Sequence, residues 1–314
     1  MSRKDDFIRV CTSRNLWYNF DTKEILTDEQ LRLRNMNPNN ISSRPNEIPV
    51  FGNIQRALRI WIPFMEQQIQ NNQPFGQIRV REAKRRQAGK GYPSVRGFVN
   101  IPAFSKGAKP YKQLSPFFVT VDYEENGEQR VGEIFENFFQ SRKVYRQVTR
   151  QTGDWVWPAE THVDANDNPN ENWIRWNRAL SSHELPIRHP NGKAIPLYAW
   201  WKGQKLGVVE MRKQIYIPFL QAIYRQHPVY QQILAMVRRG TNIIILGPDG
   251  PNMDLYPNGM PVTLEMLVDL QNVTRIGDIP HVEGYVNNDV PPGKYFPYGH
   301  EFVIALTLLE DLLQ

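Results

Sequence analysis

Cysteine is almost missing from this chain: Cys11 stands alone, so no internal disulfide can form and a reducing compartment is expected. No run of apolar residues reaches bilayer length, and the opening "MSRKDDFIRV" lacks the apolar stretch of a secretory signal. A soluble intracellular protein, cytoplasmic or nuclear and without a membrane partner, is the expectation. A single cysteine excludes a Cys-rich zinc centre, and the six histidines do not form HExxH. "THVD" and "SSHE" offer only scattered ligands, so no metal is expected. The phosphate-loop pattern, GxGxxG and GxSxG are all absent; "RQAGKGYPS" has the wrong glycine spacing and no hydrophobic strand before it. Chemistry driven by ATP is therefore not expected.

Charge and aromatic content are what the chain has in quantity. Its net charge of +6 is concentrated in "RVREAKRRQAGKG", where Arg79, Arg81, Lys84, Arg85, Arg86 and Lys90 are opposed only by Glu82. Such a stretch is either a solvated basic loop or a contact for phosphate or nucleic acid. The 8 Trp, 13 Tyr and 15 Phe are too many large apolar rings for a disordered chain, and imply a substantial core.

Along the chain, residues 1–50 read as an irregular N-terminal segment, because "NMNPNNISSRPNEIPV" is nearly all turn formers. Residues 51–314 read as a single main domain. "IQRALRIWIPFMEQQIQNN" has helical spacing interrupted at Pro63, while "SVRGFVNIPAF" and "SPFFVTVDY" are sheet-forming. The periodicity of "VGEIFENFFQSRKVYRQ" predicts one helix on which Glu133, Glu136, Gln140 and Lys143 share a face. An insertion at about 151–195 carries Trp155, Trp157, Trp173 and Trp176, which either seal a core or wall a cleft. "KAIPLYAWWKGQKLGVVEM" predicts a strand pair entering a helix with a kink at Pro218. "HPVYQQILAMVRRG" predicts a helix opened by Pro228 and closed by Gly240, and "NIIILG" a buried strand. That strand delivers Asp249 and Asp254 to its carboxyl end. A final helix, "HEFVIALTLLEDLL", presents Phe302, Ala305, Leu306, Leu309 and Leu312 to the core. The fold class is α+β, or an irregular α/β arrangement, with a mixed helix and sheet core.

Carboxylates and amides set among aromatics suit cleavage of a glycosyl bond, because positive charge develops on the sugar while the leaving base or the water needs acid–base help. "ENFFQSRK", residues 136–143, resembles the "EHxFQxxK" signature of the NADAR or YbiA-like superfamily, N-glycosidases acting on ribosylated nucleotide-derived compounds. "FLQAIYRQHPVYQQILAMVRRGTNIIILGPDG" resembles that superfamily's later helix, strand and acidic loop. Asn137 stands where the family often has histidine, and no tryptophan–glycine motif follows Asp249. The resemblance spans residues 131–254. It implies a mixed α/β pocket and hydrolysis of an N-glycosidic bond in a nucleotide-like small molecule or ADP-ribose derivative, without a cofactor. Glu136, Lys143 and Asp249 would be catalytic. Phe139, Gln140, Trp157, Trp176 and Asp254 would bind substrate, with the tryptophans covering the base. Two other classes stay open from the residues: a nucleic-acid-binding protein using the basic stretch and stacking rings, and a non-catalytic structural or interaction protein.

Overall fold

The structure is a computed structural model, and it describes residues 7–11, 16–19, 25–34, 75–83, 91–125, 127–148, 155–192, 194–253, 256–273 and 298–314. The predicted helix around Pro63 lies outside these residues.

Near the N-terminus, β1 (Phe7–Cys11), β2 (Leu16–Asn19) and β3 (Ile25–Thr27) form an antiparallel sheet in that order, followed by α1 (Asp28–Leu33). Regular structure therefore appears where an irregular segment was expected. The turn formers cluster after residue 34, whereas "FIRV", "LWYN" and "ILT" carry the β-branched and aromatic residues that favour strands.

The main sheet contains β4 (Ile78–Glu82), β5 (Phe98–Pro102), β13 (Asn242–Gly247) and β14 (Met260–Pro261), in the order β14-β4-β13-β5. The central strand, β13, is parallel to both neighbours and is buried from Ile243 to Gly247, as its continuous apolar run predicts. Between β5 and β13 the chain forms the hairpin β6 (Thr120–Glu125) and β7 (Glu128–Ile134), then α2 (Phe135–Ser141), β8 (Lys143–Val144), β9 (Gln147–Val148), β10 (Glu160–Thr161) and α3 (Glu171–Ser181). The hairpin β11 (Tyr198–Trp201) and β12 (Gln204–Leu206) leads into α4 (Val208–Met211), a π-helical turn at Arg212–Tyr216 and α5 (Ile217–Gln226). Then come α6 (Pro228–Arg238), α7 (Leu264–Leu270) and α8 (His300–Leu313).

Two helices depart from their predicted shapes. The long helix expected from residue 131 is divided: Gly132, at φ 71°, takes a left-handed conformation that makes β7 bulge, and its N–H donates to Asp122 Oδ1 at 2.7 Å. Glu133 is consequently a strand residue turned inward. The helix starts only where the Phe135 and Glu136 N–H groups find Val119 O and Pro116 O at 2.9 and 3.0 Å. In the helix that begins at Val208, the kink expected at Pro218 is a π turn, in which the Ile217 N–H reaches back to Arg212 O. Proline has no N–H with which to continue the α ladder, and the wider turn lies immediately before it.

Residues His300–Leu309 of α8 are buried on every side, against α5, α6, α7 and the main sheet. A second core collects Tyr145, Trp155, Trp173, Trp176, Leu180 and Ile187, so three of the insertion's tryptophans pack internally. Asn170 holds the insertion to α3. Its Oδ1 caps the Asn172 and Trp173 N–H groups at 3.0 and 3.1 Å, while its Nδ2 donates to Thr161 O at 2.8 Å. Asn170→Ala is expected to cost about 1–2 kcal/mol, read as a lower urea midpoint at unchanged slope; a loss below about 0.5 kcal/mol would show that the cap is dispensable.

Candidate functional site

The site is built on α2, the loop after β13 and the start of α8. One turn apart on α2, Gln140 Nε2 donates to Glu136 Oε1 at 3.0 Å, and Lys143 Nζ, at the start of β8, donates to Gln140 Oε1 at 2.8 Å. Lys143 also lies 5.0 Å from the centre of the Phe139 ring, which packs on Tyr216 at 4.7 Å. The π turn thus packs beside the group of side chains at the candidate site. Glu133, expected on the same face, is elsewhere: Tyr123 donates to it at 2.7 Å, and Arg142 donates to Tyr123 at 2.7 Å. The strand–helix junction breaks the periodicity that had joined Glu133 to the other three.

By exposed area Glu136, Lys143 and Asp249 are half-buried, but their charged ends lie among protein atoms as closely packed as an interior. The pKa shifts follow that packing. Burial pushes Glu136 up, opposed by the Gln140 hydrogen bond and by the charges of Lys143 and Arg188. It pushes Lys143 down, opposed by Glu136. Asp249 rises to about 6 through burial, with the Glu136 charge adding to the rise and Arg188 opposing it. Glu136 and Asp249, far apart in sequence, therefore lie close enough for the charge of Glu136 to reach Asp249, a meeting that the sequence left open.

Arg188 and Glu301 carried no sequence expectation. Arg188 is exposed, and its charge acts on Glu136, Asp249 and Glu301 together. Asn137 places it there: this fully buried amide donates to His183 O and Leu185 O at 2.9 Å each and accepts from the Ile187 N–H at 2.7 Å. Asn137 is thus the clamp for the segment carrying Arg188. Glu301 is fully buried, and its Oε1 accepts the Asp249 N–H at 2.7 Å.

Other expected site residues fall outside this group. Trp176 is fully buried, its ring 6.1 Å from Tyr145 and 5.3 Å from His162, so it cannot cover a bound base. Trp157 is half-buried, stacks on Trp155 at 5.6 Å and donates to Glu160 at 3.3 Å, which gives it a place at the edge of the second core. Asp254, Lys84, Arg85, Arg86 and Lys90 lie outside the described residues. Arg79 and Arg81 do not follow a polyanion, because β4 is an interior strand. Arg79 donates to Asn258 O at 3.2 Å and covers the Phe98 ring at 4.2 Å, while Arg81 donates to Pro257 O and Pro93 O at 2.6 and 2.8 Å.

A cavity of about 590 Å³ is lined by other residues, among them Glu125, Trp173, Asn177, Trp200, Trp201 and Lys202. None of the converging carboxylates lines it, so we place the candidate site on the meeting of charges rather than on volume. Among the described residues, no three His, Cys, Asp or Glu side chains gather as a metal ion would require, and no helix is long and apolar enough to cross a membrane. No protein-family model matches the chain, and neither does any curated protein or solved structure.

Proposed function

We propose that the side chains gathered around Glu136 and Asp249 hydrolyse an N-glycosidic bond in a ribosylated nucleotide-like small molecule or ADP-ribose derivative. One observation carries this reading: the charge of Glu136 reaches Asp249 and raises its pKa, while the charge of the exposed Arg188 acts on both carboxyls. The resemblance of residues 136–143 to the N-glycosidase signature agrees with it. In the reaction the C–N bond to the sugar breaks, its electron pair leaves with the base, and water adds oxygen to the anomeric carbon. Glu136, which burial pushes up and whose carboxylate form Gln140, Lys143 and Arg188 support against that burial, stabilises the cationic sugar as its carboxylate. Asp249, held near neutrality, exchanges the proton that the base gains and the water loses. Phe139 and Tyr216 offer ring surface, and Arg188 holds phosphate or ribose oxygens.

The test is incubation of the wild-type protein with ADP-ribose derivatives and with ribosylated pyrimidine and flavin-pathway intermediates, following released base and free sugar by mass spectrometry. Release of base with one water added to the sugar is expected. Recovery of every compound intact would overturn the reading.

A further inference from the structure

Glu301 is a buried carboxyl to which the chemistry above gives no task. Nothing exposes it, and its surroundings are shaped around it: a methyl group built on Gly247 would lie 2.2–2.4 Å from the carboxyl atoms. A methyl built on Gly299 would lie 2.4 Å from Glu301 Oε2 and 2.8 Å from the Asp249 Cβ. The two acidic side chains therefore border one small gap that two glycines keep open. Glu301 Oε1 accepts the Asp249 N–H, whereas Oε2 is buried without a hydrogen-bond partner. A partner lies close by. His300 is buried, and its Nε2 is 2.6 Å from Ala103 O, which can only accept, so Nε2 carries hydrogen. In the neutral ring Nδ1 is then a bare acceptor, 3.4 Å from Glu301 Oε2. Two acceptors facing each other in an interior need a proton between them.

We propose that Glu301 is a protonated carboxyl whose proton lies on Oε2 towards His300 Nδ1, and that in this neutral form it positions Asp249 for the reaction. This rests on the glycosidase reading. Were Glu301 ionised, its negative charge would stand beside Asp249 and hold that carboxyl protonated, unable to take a proton from water. Kept neutral, Glu301 fixes the Asp249 main chain through Oε1 and adds no charge. The groups facing Glu301 from the packed elements are Asp249 after β13, Arg188, His300 on its own helix, Tyr216 on the π turn and Tyr224 on α5. Among these only Arg188 is a fixed cation, and it is exposed. Burial first, then Asp249, raises Glu301 to about 8, and burial lowers His300 to about 4, in keeping with the geometry.

Because the folded carboxyl is raised above its unfolded value, the stability linked to it is complete below the ordinary glutamate range and is lost as pH rises through about 8.

Two spectroscopic measurements need no turnover. Infrared spectra of the wild type at pH 7 are expected to contain a protonated-carboxyl band that Glu301→Gln removes. Nitrogen-15 spectra of ring-labelled protein are expected to show His300 as the neutral Nε2–H form. A band absent from the wild type, or His300 as imidazolium, would overturn the proposal, since Glu301 would then be an anion paired with a cation. Unfolding midpoints supply an independent check: the wild type is expected to lose stability towards pH 9 more steeply than Glu301→Gln, and parallel curves would count against the proposal.

In the hydrolysis assay, Glu301→Gln is expected to move the alkaline limb of kcat/KM upward by about one pH unit. Glu301→Ala, which removes the acceptor for the Asp249 N–H, is expected to lower kcat on the order of 10²-fold with little change in KM. An unmoved alkaline limb, or a loss confined to KM, would reduce Glu301 to a structural residue. Absence of release by the wild type would overturn the glycosidase reading, while the spectra would still decide the protonation state.

Discussion

Glu136→Gln is expected to lower kcat/KM for base release by about 10²–10⁴-fold while the protein stays folded. The substitution changes charge and little else. The new amide oxygen can still accept from Gln140 Nε2, the donor that Glu136 Oε1 now meets at 3.0 Å, and Phe139 and Tyr216 keep their packing. What disappears is the negative charge that would face the cationic sugar in the transition state, an interaction absent from the ground state and hence one that acts on the rate.

Stability is expected to move the other way. Burial raises the folded-state pKa of Glu136, so its contribution is complete at low pH and is lost as pH rises through the folded value. At neutral pH the amide escapes that loss, and the variant is expected to unfold at the same temperature as the wild type or a higher one. Lys143, whose charge Glu136 supports, is expected to lose its proton at lower pH in the variant. Activity within a few-fold of the wild type would remove Glu136 from the chemistry. Lost activity together with a collapsed unfolding transition would make it a structural residue instead.

Which parts of this site the sequence could disclose follows from how local each signal is. Glu136, Gln140 and Lys143 were legible because they follow one another at steps of four and three residues along α2 and just past its end, where spacing alone puts side chains together. The position of Asp249 just past a strand end was legible because a run as apolar as "NIIILG" must be a buried strand, whereas its burial and its closeness to Glu136 were not. Glu133 shows the limit of the same reasoning. Counting threes and fours across residues 131–147 assumes unbroken helix, and only the left-handed conformation at Gly132 shows that the count begins in a strand.

Glu301 was concealed for a different reason. A carboxylate in the first turn of a helix is an ordinary partner for the helix dipole. Periodicity also assigned α8 one apolar face, yet the structure surrounds its first ten residues on all sides. Complete burial is a property of the packed elements, not of the helix. Arg188 has no local signature at all, because its position depends on hydrogen bonds that Asn137 makes to main chain some fifty residues later. Arg79 and Arg81 left the expected surface patch on related grounds: charge density in sequence says nothing about strand position, and β4 carries these two inside, where main-chain carbonyls receive their guanidinium groups.

Arg142→Met is expected to destabilise the protein by roughly 3 kcal/mol, the largest single loss predicted for the fold. Arg142 is fully buried where the β6–β7 hairpin, α2 and β11 meet, and its guanidinium lies 4.8–5.2 Å from the ring centres of Tyr123, Phe138 and Trp201. It pairs with Glu125 and donates to the Tyr123 hydroxyl, which in turn donates to the buried Glu133. Methionine restores most of the stem's volume but none of the donors. Glu125, about a quarter exposed, can recover water; the Tyr123 hydroxyl, deep in the core, cannot and loses its donor. The companion Glu125→Gln is therefore expected to cost only about 1 kcal/mol, since it removes the more hydrated partner. Equal costs for the two variants would locate the stabilisation in the ion pair itself. A larger cost for Arg142→Met would locate it in the buried hydroxyl and the three rings, the contacts that hold α2, and with it Glu136, in place.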